Sequence, residues 1–347
     1  MIHSRKERRY QCKRCRRTFS ARRDTALYRM HKPEWLVLAV VTLLAYGCPL
    51  QAIVAAFDLD ERTVARWQRE AGLHCKRLHE HLVEAGRVRL LQVQADEIRV
   101  RAVGGVLWLA SAIVVSSRLW LGGVVSPTRD ARLIRSLLER VWACGTKRAL
   151  LLCTDGLLSY PKQALRVFRL PERTGRSGHP RMLLPAGLLI AQMVKRYAQR
   201  RVVEVERRVV HGTEAAVAAI LCATQGAATA VINTAYIERL NATFRAHLAP
   251  LTRRGRAIAR TEAALTAGMW LVGTAYNFCW PHDSLRRLAP DQAPRKWLPC
   301  TPAMAAGLAE QPWTLDHLLR FQIPLPRWVP TKRPGRPPKR PPLKAAA

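Results

Sequence analysis

RALLLCTDG, residues 148–156, places a buried strand near the middle of this 347-residue chain. Its apolar run has the length and the lack of alternation that are typical of a strand covered on both faces. Gly156 ends the run directly after Asp155. A carboxylate at the end of a buried strand is costly unless a cation or a hydrogen-bonding partner compensates it. Asp155 is therefore a candidate site residue, and a plain turn residue is the alternative.

The segments around this strand predict an α/β fold. Three upstream segments rich in β-formers have short connections, as in an antiparallel meander: 90–102, 106–117 and 119–126. Helical spacing is expected at 129–144, near 162–168 and at 236–251, and strand-like alternation at 200–210. The turn-rich stretch 170–187 predicts a loop or insertion. We therefore expect a mixed sheet with flanking helices.

An all-α unit is expected before this layer, at 33–88. Residues 34–47 and 50–59 have helical apolar spacing, and Asp60 is placed to cap a third helix. In that helix Val64 and Trp67 would face the core. The opposite face would then enter a major groove, as in a helix-turn-helix motif. The residues predicted to contact DNA there are Arg62, Thr63, Arg66, Gln68 and Arg69. The alternative is an ordinary three-helix core element with a basic outer face.

The charge of the chain narrows the class of partner. Lys and Arg number 58 against 24 Asp and Glu, a formal net charge of +34. Such an excess argues against an acidic small-molecule enzyme and favours a polyanion as the partner, most plausibly nucleic acid, with a basic membrane-binding protein as the competing interpretation. Basic residues concentrate in the head, 1–32, and in the Pro-rich tail, 325–347. We expect affinity for DNA to fall steeply as salt rises.

Cysteine usage and hydropathy predict a cytoplasmic, nucleoid-associated protein without a membrane partner. The nine cysteines are odd in number and mostly scattered, as in a reduced compartment. The uncharged stretch 35–57 is interrupted by Gly47 and Pro49, so each piece is too short to span a bilayer. Cys12 and Cys15 form the one C-x-x-C pair, which is a candidate Zn²⁺ site if His3 and His31 complete it, or half of a site if they do not.

Three acidic residues lie at positions where a carboxylate indicates a function. Asp96 stands inside a β-rich run, and Asp155 ends a strand. Glu238 shares a helix face with Asn241 and Arg245, at spacings of three and seven. Carboxylates converging from two strands and a helix can hold two Mg²⁺ ions about 4 Å apart, the arrangement for in-line attack on a phosphodiester.

Each of these assignments has a rival. Glu97 is adjacent to Asp96 and would point to the opposite face of the strand. If the predicted alternation of the strand is wrong by one residue, Glu97 takes the place of Asp96 in the site. Glu238 could instead form a surface ion pair with a neighbouring arginine. Rival third ligands, which lack a helical Asn and Arg on their face, are Glu204, Glu206 and Glu214.

Six sequence features together resemble those of a known family. They are YQCKRCRRTFS at 10–20, the helix-turn-helix run within 33–88, QADE around Asp96, CTDG around Asp155, YIERLNATFR at 236–245 and AYNFCWPHDSLR at 275–286. In this order and spacing, over about residues 10–290, the chain resembles DDE-type transposases of bacterial insertion sequences, in particular the insertion-sequence-one type. In the last motif, His282 is expected to be a cap or turn residue or to contact a DNA phosphate, and not to be a catalytic base.

The resemblance implies an RNase H-like catalytic domain whose triad is Asp96, Asp155 and Glu238. It implies two Mg²⁺ ions, or Mn²⁺ in their place, cleavage at the ends of a transposable element and strand transfer into target DNA. Double-stranded DNA would be the partner, and a homodimer or higher oligomer would assemble on it. Two other functions are kept open: a helix-turn-helix regulator without catalysis, and a nuclease of the same fold.

Two further basic segments are predicted to hold DNA. Arg253, Arg254 and Arg256 follow the Glu238 helix and would clamp the backbone, with a solvated basic loop as the alternative. Arg336 lies in a tail segment similar to an AT-hook, a motif that enters the minor groove. The expected domains are a partial zinc ribbon, the helix-turn-helix unit, the catalytic domain, a C-terminal extension and a disordered basic tail, at 1–32, 33–88, 89–290, 291–324 and 325–347.

Overall fold

The computed structural model of the chain describes residues 2–3, 8–13, 15–146, 150–172, 179–199, 201–253, 255, 257–290, 294 and 296–324. Arg254 and Arg256 of the predicted clamp lie outside the described residues, and so does the predicted tail with Arg336.

The first part of the chain forms a small sheet and three helices. These elements are β1 (Ile2–His3), β2 (Arg8–Gln11), β3 (Thr18–Ser20), α1 (Glu34–Ala45), α2 (Leu50–Phe57) and α3 (Glu61–Leu82). Asp60 caps α3, since its Oδ1 accepts hydrogen bonds from the backbone N–H groups of Arg62 (2.8 Å) and Thr63 (3.3 Å). Val64 and Trp67 are buried, as the helical spacing predicted.

The second part alternates strands and helices. Its elements are β4 (Leu91–Ala102), β5 (Gly105–Val114), β6 (Trp120–Ser126), α4 (Ala131–Cys144), β7 (Leu150–Asp155), α5 (Ser159–Val167), β8 (Leu170–Pro171), β9 (Met182–Leu183), β10 (Leu188–Ala198), β11 (Arg201–His211), α6 (Glu214–Gln225), α7 (Ala235–His247) and α8 (Glu262–Phe278). It ends in β12 (Arg287–Leu288), β13 (Trp297–Leu298), α9 (Pro302–Ala305) and α10 (Leu315–Arg320).

Six strands form one mixed sheet in the order β11-β10-β7-β4-β5-β6. The pairs β4–β5, β5–β6 and β10–β11 are antiparallel, whereas β7 is parallel to both β4 and β10. The predicted mixed sheet with flanking helices is therefore confirmed. Pairing of β4 with β7 stops at Gln94 opposite Cys153, one residue before Ala95 and two before Asp96. Beyond that point the two strands diverge, which leaves room for side chains between them.

Strand β10 was not predicted, because its sequence carries no period. Its first six residues are buried and apolar apart from Gln192, and its last five, which include Lys195 and Arg196, become progressively exposed. Parallel pairing with β7 ends at Met193 opposite Asp155, while β11 continues alongside to Ala198. The predicted loop at 170–187 contains the short antiparallel pair β8–β9.

Helices cover both faces of the sheet. Alternate residues of β7 and β10, such as Leu151 and Ala191, pack with Val217 and Leu221 of α6. The opposite face carries α4 and α5. Helix α3 packs along α8 so closely that a Cβ at Gly72 would lie 2.4 Å from the carbonyl oxygen of Ala267. The three N-terminal helices thus share a core with the sheet. Within the described residues, no helix has the length and apolarity to cross a membrane.

Candidate active site

An open cleft of about 380 Å³ lies beside α7, beyond the point where β4 stops pairing with β7 and where β7 itself ends next to β10. All three carboxylates predicted from the sequence contribute to its wall. The lining residues include Asp96, Arg129, Asp155, Met193, Lys195, Thr234 and Glu238. The cleft therefore brings together the three carboxylates that the sequence analysis assigned to one site.

Two carboxylates are held in place by amide donors. Asp96, on β4, accepts a hydrogen bond at Oδ2 from the side-chain amide of Asn241 on α7 (2.8 Å). Asp155, at the end of β7, accepts at Oδ1 from the backbone N–H of Leu157 (3.0 Å). Its own carbonyl oxygen accepts from the amide of Gln192 on β10 (2.7 Å). Both side chains keep a second carboxylate oxygen for other ligands.

A third carboxylate, that of Glu97, lies close to Asp96 and Asp155 although Glu97 is on the opposite face of β4. Ligand atoms of Asp96, Glu97 and Asp155 lie within 4.8 Å of one another, the one such cluster of potential metal ligands in the described part of the chain. The Arg129 guanidinium contacts Oε2 of Glu97 (2.8 Å) and Oδ2 of Asp155 (3.6 Å). Sequence reasoning put Glu97 on the far face of the strand and so kept it off the ligand list. Its side chain nevertheless lies beside Asp96 and Asp155 in the cluster, although it is not part of the cleft wall.

Glu238 is the carboxylate that α7 contributes. Its Oε1 accepts hydrogen bonds from Nζ of Lys195 (2.8 Å) and from the Thr234 hydroxyl (2.9 Å). It lines the cleft but does not belong to the 4.8 Å cluster. Lys195 had no signal in the sequence analysis, because it lies on the unpredicted strand β10. This lysine places a positive charge between the strand and Glu238.

The position of α7 against the sheet is set by a buried glutamine. No side chain of α7 itself caps its N-terminus. Gln94 of β4 supplies the cap, since its Oε1 accepts from the backbone N–H groups of Tyr236 and Ile237, each at 3.0 Å. Gln94 lies two residues before Asp96 on the same face of the strand. One strand face therefore fixes both a catalytic candidate and the helix that carries Glu238.

The electrostatic environments of the carboxylates differ. Burial, with the nearby charges of Glu97, Asp155 and Glu238, raises the pKa of Asp96 from 3.8 to about 6. Burial also raises the pKa of Glu97, against the opposing effect of Arg129. For Glu238, partial burial is outweighed by the hydrogen bonds from Lys195 and Thr234, so its pKa is lowered. The cleft thus holds like charges that a bound cation would relieve.

The donor set fits a hard divalent cation. Carboxylate oxygens are the ligands that Mg²⁺ prefers, and it needs only one or two of them when waters complete its shell. Asp96 and Asp155 supply such a pair. Glu97, buried beside the Tyr160 hydroxyl, is the third carboxylate of the cluster. A cation held there would offset the burial and the repulsion that together raise the pKa of Asp96.

The cleft continues into a second, wider depression of about 740 Å³ along α7. Asn241, Arg245 and Arg253, predicted to bind DNA, line it together with Asp96 and Glu238. Burial and the charge of Arg253 lower the pKa of Arg245, a sign of two cations close together. An anionic strand lying in this depression would neutralise both.

The predicted contacts on α3 lie away from this cleft and do not share one face. Arg62, Arg66 and Arg69 are exposed, and Thr63 is half-buried. Gln68 lines an apolar groove of about 610 Å³. Of the five residues, the three arginines are therefore the ones presented to solvent.

Cys12 and Cys15 lie in the turn between β2 and β3. The backbone N–H of Cys12 donates to the carbonyl of Arg17 and that of Arg16 to the carbonyl of Cys12, each at 2.9 Å, which closes the turn. Cys15 is exposed and Cys12 is half-buried. In the part of the chain that the structure describes, these thiols belong to no cluster of three or more potential ligands. Zinc binding stays a prediction.

Comparison with known proteins adds no family to this geometry. No protein-family model matches the chain, and no curated protein gave a match.

Proposed function

We propose that this protein is a metal-dependent DNA transposase of the DDE type, which cuts the ends of a transposable element and joins them to target DNA. The observation that carries the proposal is the meeting of Asp96, Asp155 and Glu238 in one open cleft of a chain with a net charge of +34. A six-stranded mixed sheet flanked by helices is compatible with the RNase H-like fold that this activity implies.

In this proposal the residues of the cleft have separate tasks. Asp96 and Asp155 hold Mg²⁺, and Asn241 and the N–H of Leu157 orient their carboxylates. Lys195 keeps Glu238 ionised and in place. Bound Mg²⁺ would make a water or a DNA 3′-hydroxyl a stronger nucleophile and stabilise the leaving oxygen. No covalent link between protein and DNA is required.

Arginines beside the cleft are proposed to hold the DNA backbone. Arg245 and Arg253 border the carboxylates in the wider depression and would contact phosphates without selecting a sequence. Arg62, Arg66 and Arg69 form a separate exposed patch on α3 that would bind a more distant part of the duplex. Because a transposable element has two ends, strand transfer calls for at least two copies of the chain.

Strand-transfer assays with purified protein test this proposal. The donor would carry the DNA that flanks the reading frame on both sides, and the target would be a supercoiled plasmid in Mg²⁺. We expect nicked ends and joined products from the wild type. Asp96→Asn, Asp155→Asn and Glu238→Gln should each lose both by at least about a hundredfold, the scale of losing one catalytic electrostatic interaction. Asp58→Asn, an exposed carboxylate remote from the cleft, is the matched control.

The possible outcomes separate three functions. Nicking without joining by the wild type would identify a nuclease. DNA binding without either product would identify a regulator. If all three cleft variants nick as the wild type does, the carboxylates are not the catalytic groups and the proposal fails.

A further inference from the structure

A small basic cavity lies on the side of α7 that faces away from the carboxylates. It has a volume of about 110 Å³ and is lined by Ile113, Arg118, Tyr236, Arg239, Leu240, Thr243, Tyr276, His282 and Ser284. The α7 residues in its wall are spaced by three and four, so they form one stripe of the helix. Glu238, Asn241 and Arg245 form the other stripe, which lines the catalytic cleft. One helix therefore separates the two sites.

No carboxylate is among the described residues that line this cavity. Arg118, in the turn between β5 and β6, stacks its guanidinium 4.1 Å from the ring centre of Tyr236. Its Nη1 is buried and has no hydrogen-bond partner among the described residues. Its electrostatic neighbours are two tyrosines and Arg239, and burial lowers its pKa. A half-buried cation beside a second cation is costly unless an anion joins them.

His282 adds a further hydrogen-bond donor. The backbone N–H of Ser284 donates to its Nδ1 (3.3 Å), and the Ser284 hydroxyl lies 2.9 Å from the same atom. Since Nδ1 accepts, the proton of the neutral ring is on Nε2. Burial and the charges of Arg118 and Arg239 lower the pKa of His282, against the opposing charge of Asp283. The cavity wall thus presents two guanidinium groups, an imidazole N–H and a hydroxyl.

The chemistry of the wall selects an oxyanion. Guanidinium groups have donors and no acceptor, and they match the geometry of phosphate oxygens. The volume is about that of four water molecules at about 30 Å³ each, which is enough for a tetrahedral oxyanion. Tyr276 supports the site from behind, since its hydroxyl donates to the carbonyl oxygen of Arg118 (3.0 Å).

We propose that the cavity formed by Arg118, Arg239, His282 and Ser284 binds a phosphate group of the DNA strand that is processed in the cleft. The choice of DNA as the ligand rests on the proposed function, because that function brings DNA to α7. A helix is roughly 10–12 Å across, so the bound phosphate would lie close to the reacting one. The cavity would position the strand by holding it on the second side of the helix that carries Glu238.

Binding measurements on the full chain without divalent metal test this inference. The probe is a short blunt duplex labelled for fluorescence anisotropy, titrated over a series of salt concentrations. We expect Arg118→Gln and Arg239→Gln each to lower affinity about tenfold and to reduce the slope of log K against log salt by about 0.9, the value of one lost phosphate contact. Arg166→Gln, which removes an exposed charge from α5, should change affinity less than about twofold.

Two forms of the probe distinguish the source of the phosphate. Equal losses with 5′-hydroxyl and 5′-phosphorylated duplexes assign the cavity to a phosphodiester within the strand. Losses confined to the phosphorylated duplex assign it to a terminal phosphate. Either result supports the site.

The inference is overturned if both variants behave like Arg166→Gln, if affinity falls with no change in the salt slope, or if the wild type does not bind the duplex. Arg239 is exposed, so its variant keeps the test valid should Arg118→Gln misfold, which thermal unfolding would reveal. Because no metal and no cleavage are involved, this result is independent of the strand-transfer assay.

Discussion

Asp96→Asn should make the metal-free protein more stable while abolishing its proposed activity. The native pKa of Asp96 is raised from 3.8 to about 6 by burial and by three neighbouring carboxylates. A raised acid pKa means that the native state holds the proton more tightly than the unfolded chain does. Its stabilising effect is therefore complete below pH 3.8 and is lost as the pH rises through about 6. At pH 7 the ionised carboxylate costs about 3 kcal/mol, by the free energy per pKa unit.

Asparagine has nearly the same shape as aspartate, but it carries no charge that the neighbouring carboxylates would repel. It can still accept the hydrogen bond from Asn241 through its amide oxygen. We expect a gain of about 3 kcal/mol at pH 7 in EDTA, which for a chain of this length is a rise in Tm of about 4 °C. The gain should shrink to about half at pH 5, where the native carboxyl of the wild type is mostly protonated.

Thermal and urea unfolding at pH 5 and pH 7, with EDTA or Mg²⁺, would measure these effects. Mg²⁺ should raise the Tm of the wild type, since a ligand of the native state stabilises it, and should not raise that of Asp96→Asn. Asp58→Asn is the control, because Asp58 is exposed and its left-handed backbone also suits asparagine. A variant no more stable than the wild type at pH 7, or equally stabilised at both pH values, would refute the electrostatic account.

Three further predictions concern the same framework. At Mg²⁺ concentrations well below saturation, the rate of nicking should rise about tenfold per pH unit below pH 6 and level off above it, because Asp96 must lose its proton before it binds the ion; a profile flat from pH 5 to pH 8 would contradict this. Gln94→Leu should lower the free energy of unfolding by roughly 2 kcal/mol in urea, because two N–H groups at the start of α7 lose their acceptor, and it should weaken Mg²⁺ binding as Glu238 shifts. Gly72→Ala should destabilise by roughly 1–3 kcal/mol, since the new Cβ would meet the backbone of Ala267; a stabilised variant would show that helix propensity dominates there.

Much of the layout followed from local sequence patterns. The strand that ends at Asp155, the meander before it and the Asp60 cap of α3 each depend on residues close together in the chain. Periodicity and capping report such local preferences directly. Strand β10 was missed because its buried half has no alternation and its exposed half carries charges that are also typical of loops.

The two aspartates of the candidate site could be predicted from the sequence, but the side chains that surround them could not. Asp96 and Asp155 stood out because carboxylates are rare within buried strands. Glu97 reaches the cluster only because β4 and β7 stop pairing after Gln94, and Lys195 only because β10 lies beside β7. Such neighbours are far apart in sequence, and no local pattern encodes the distance between them.

The sequence by itself determined the alternation of strands and helices, the excess of positive charge and the few acidic residues placed within buried elements. Composition and periodicity are properties of the chain that survive in any fold. Only the tertiary structure decided that Arg129 and Lys195 accompany the carboxylates, that α7 separates a carboxylate cleft from a basic cavity, and that α3 packs on α8. These depend on long-range packing, where burial and distance set the strength of each charge.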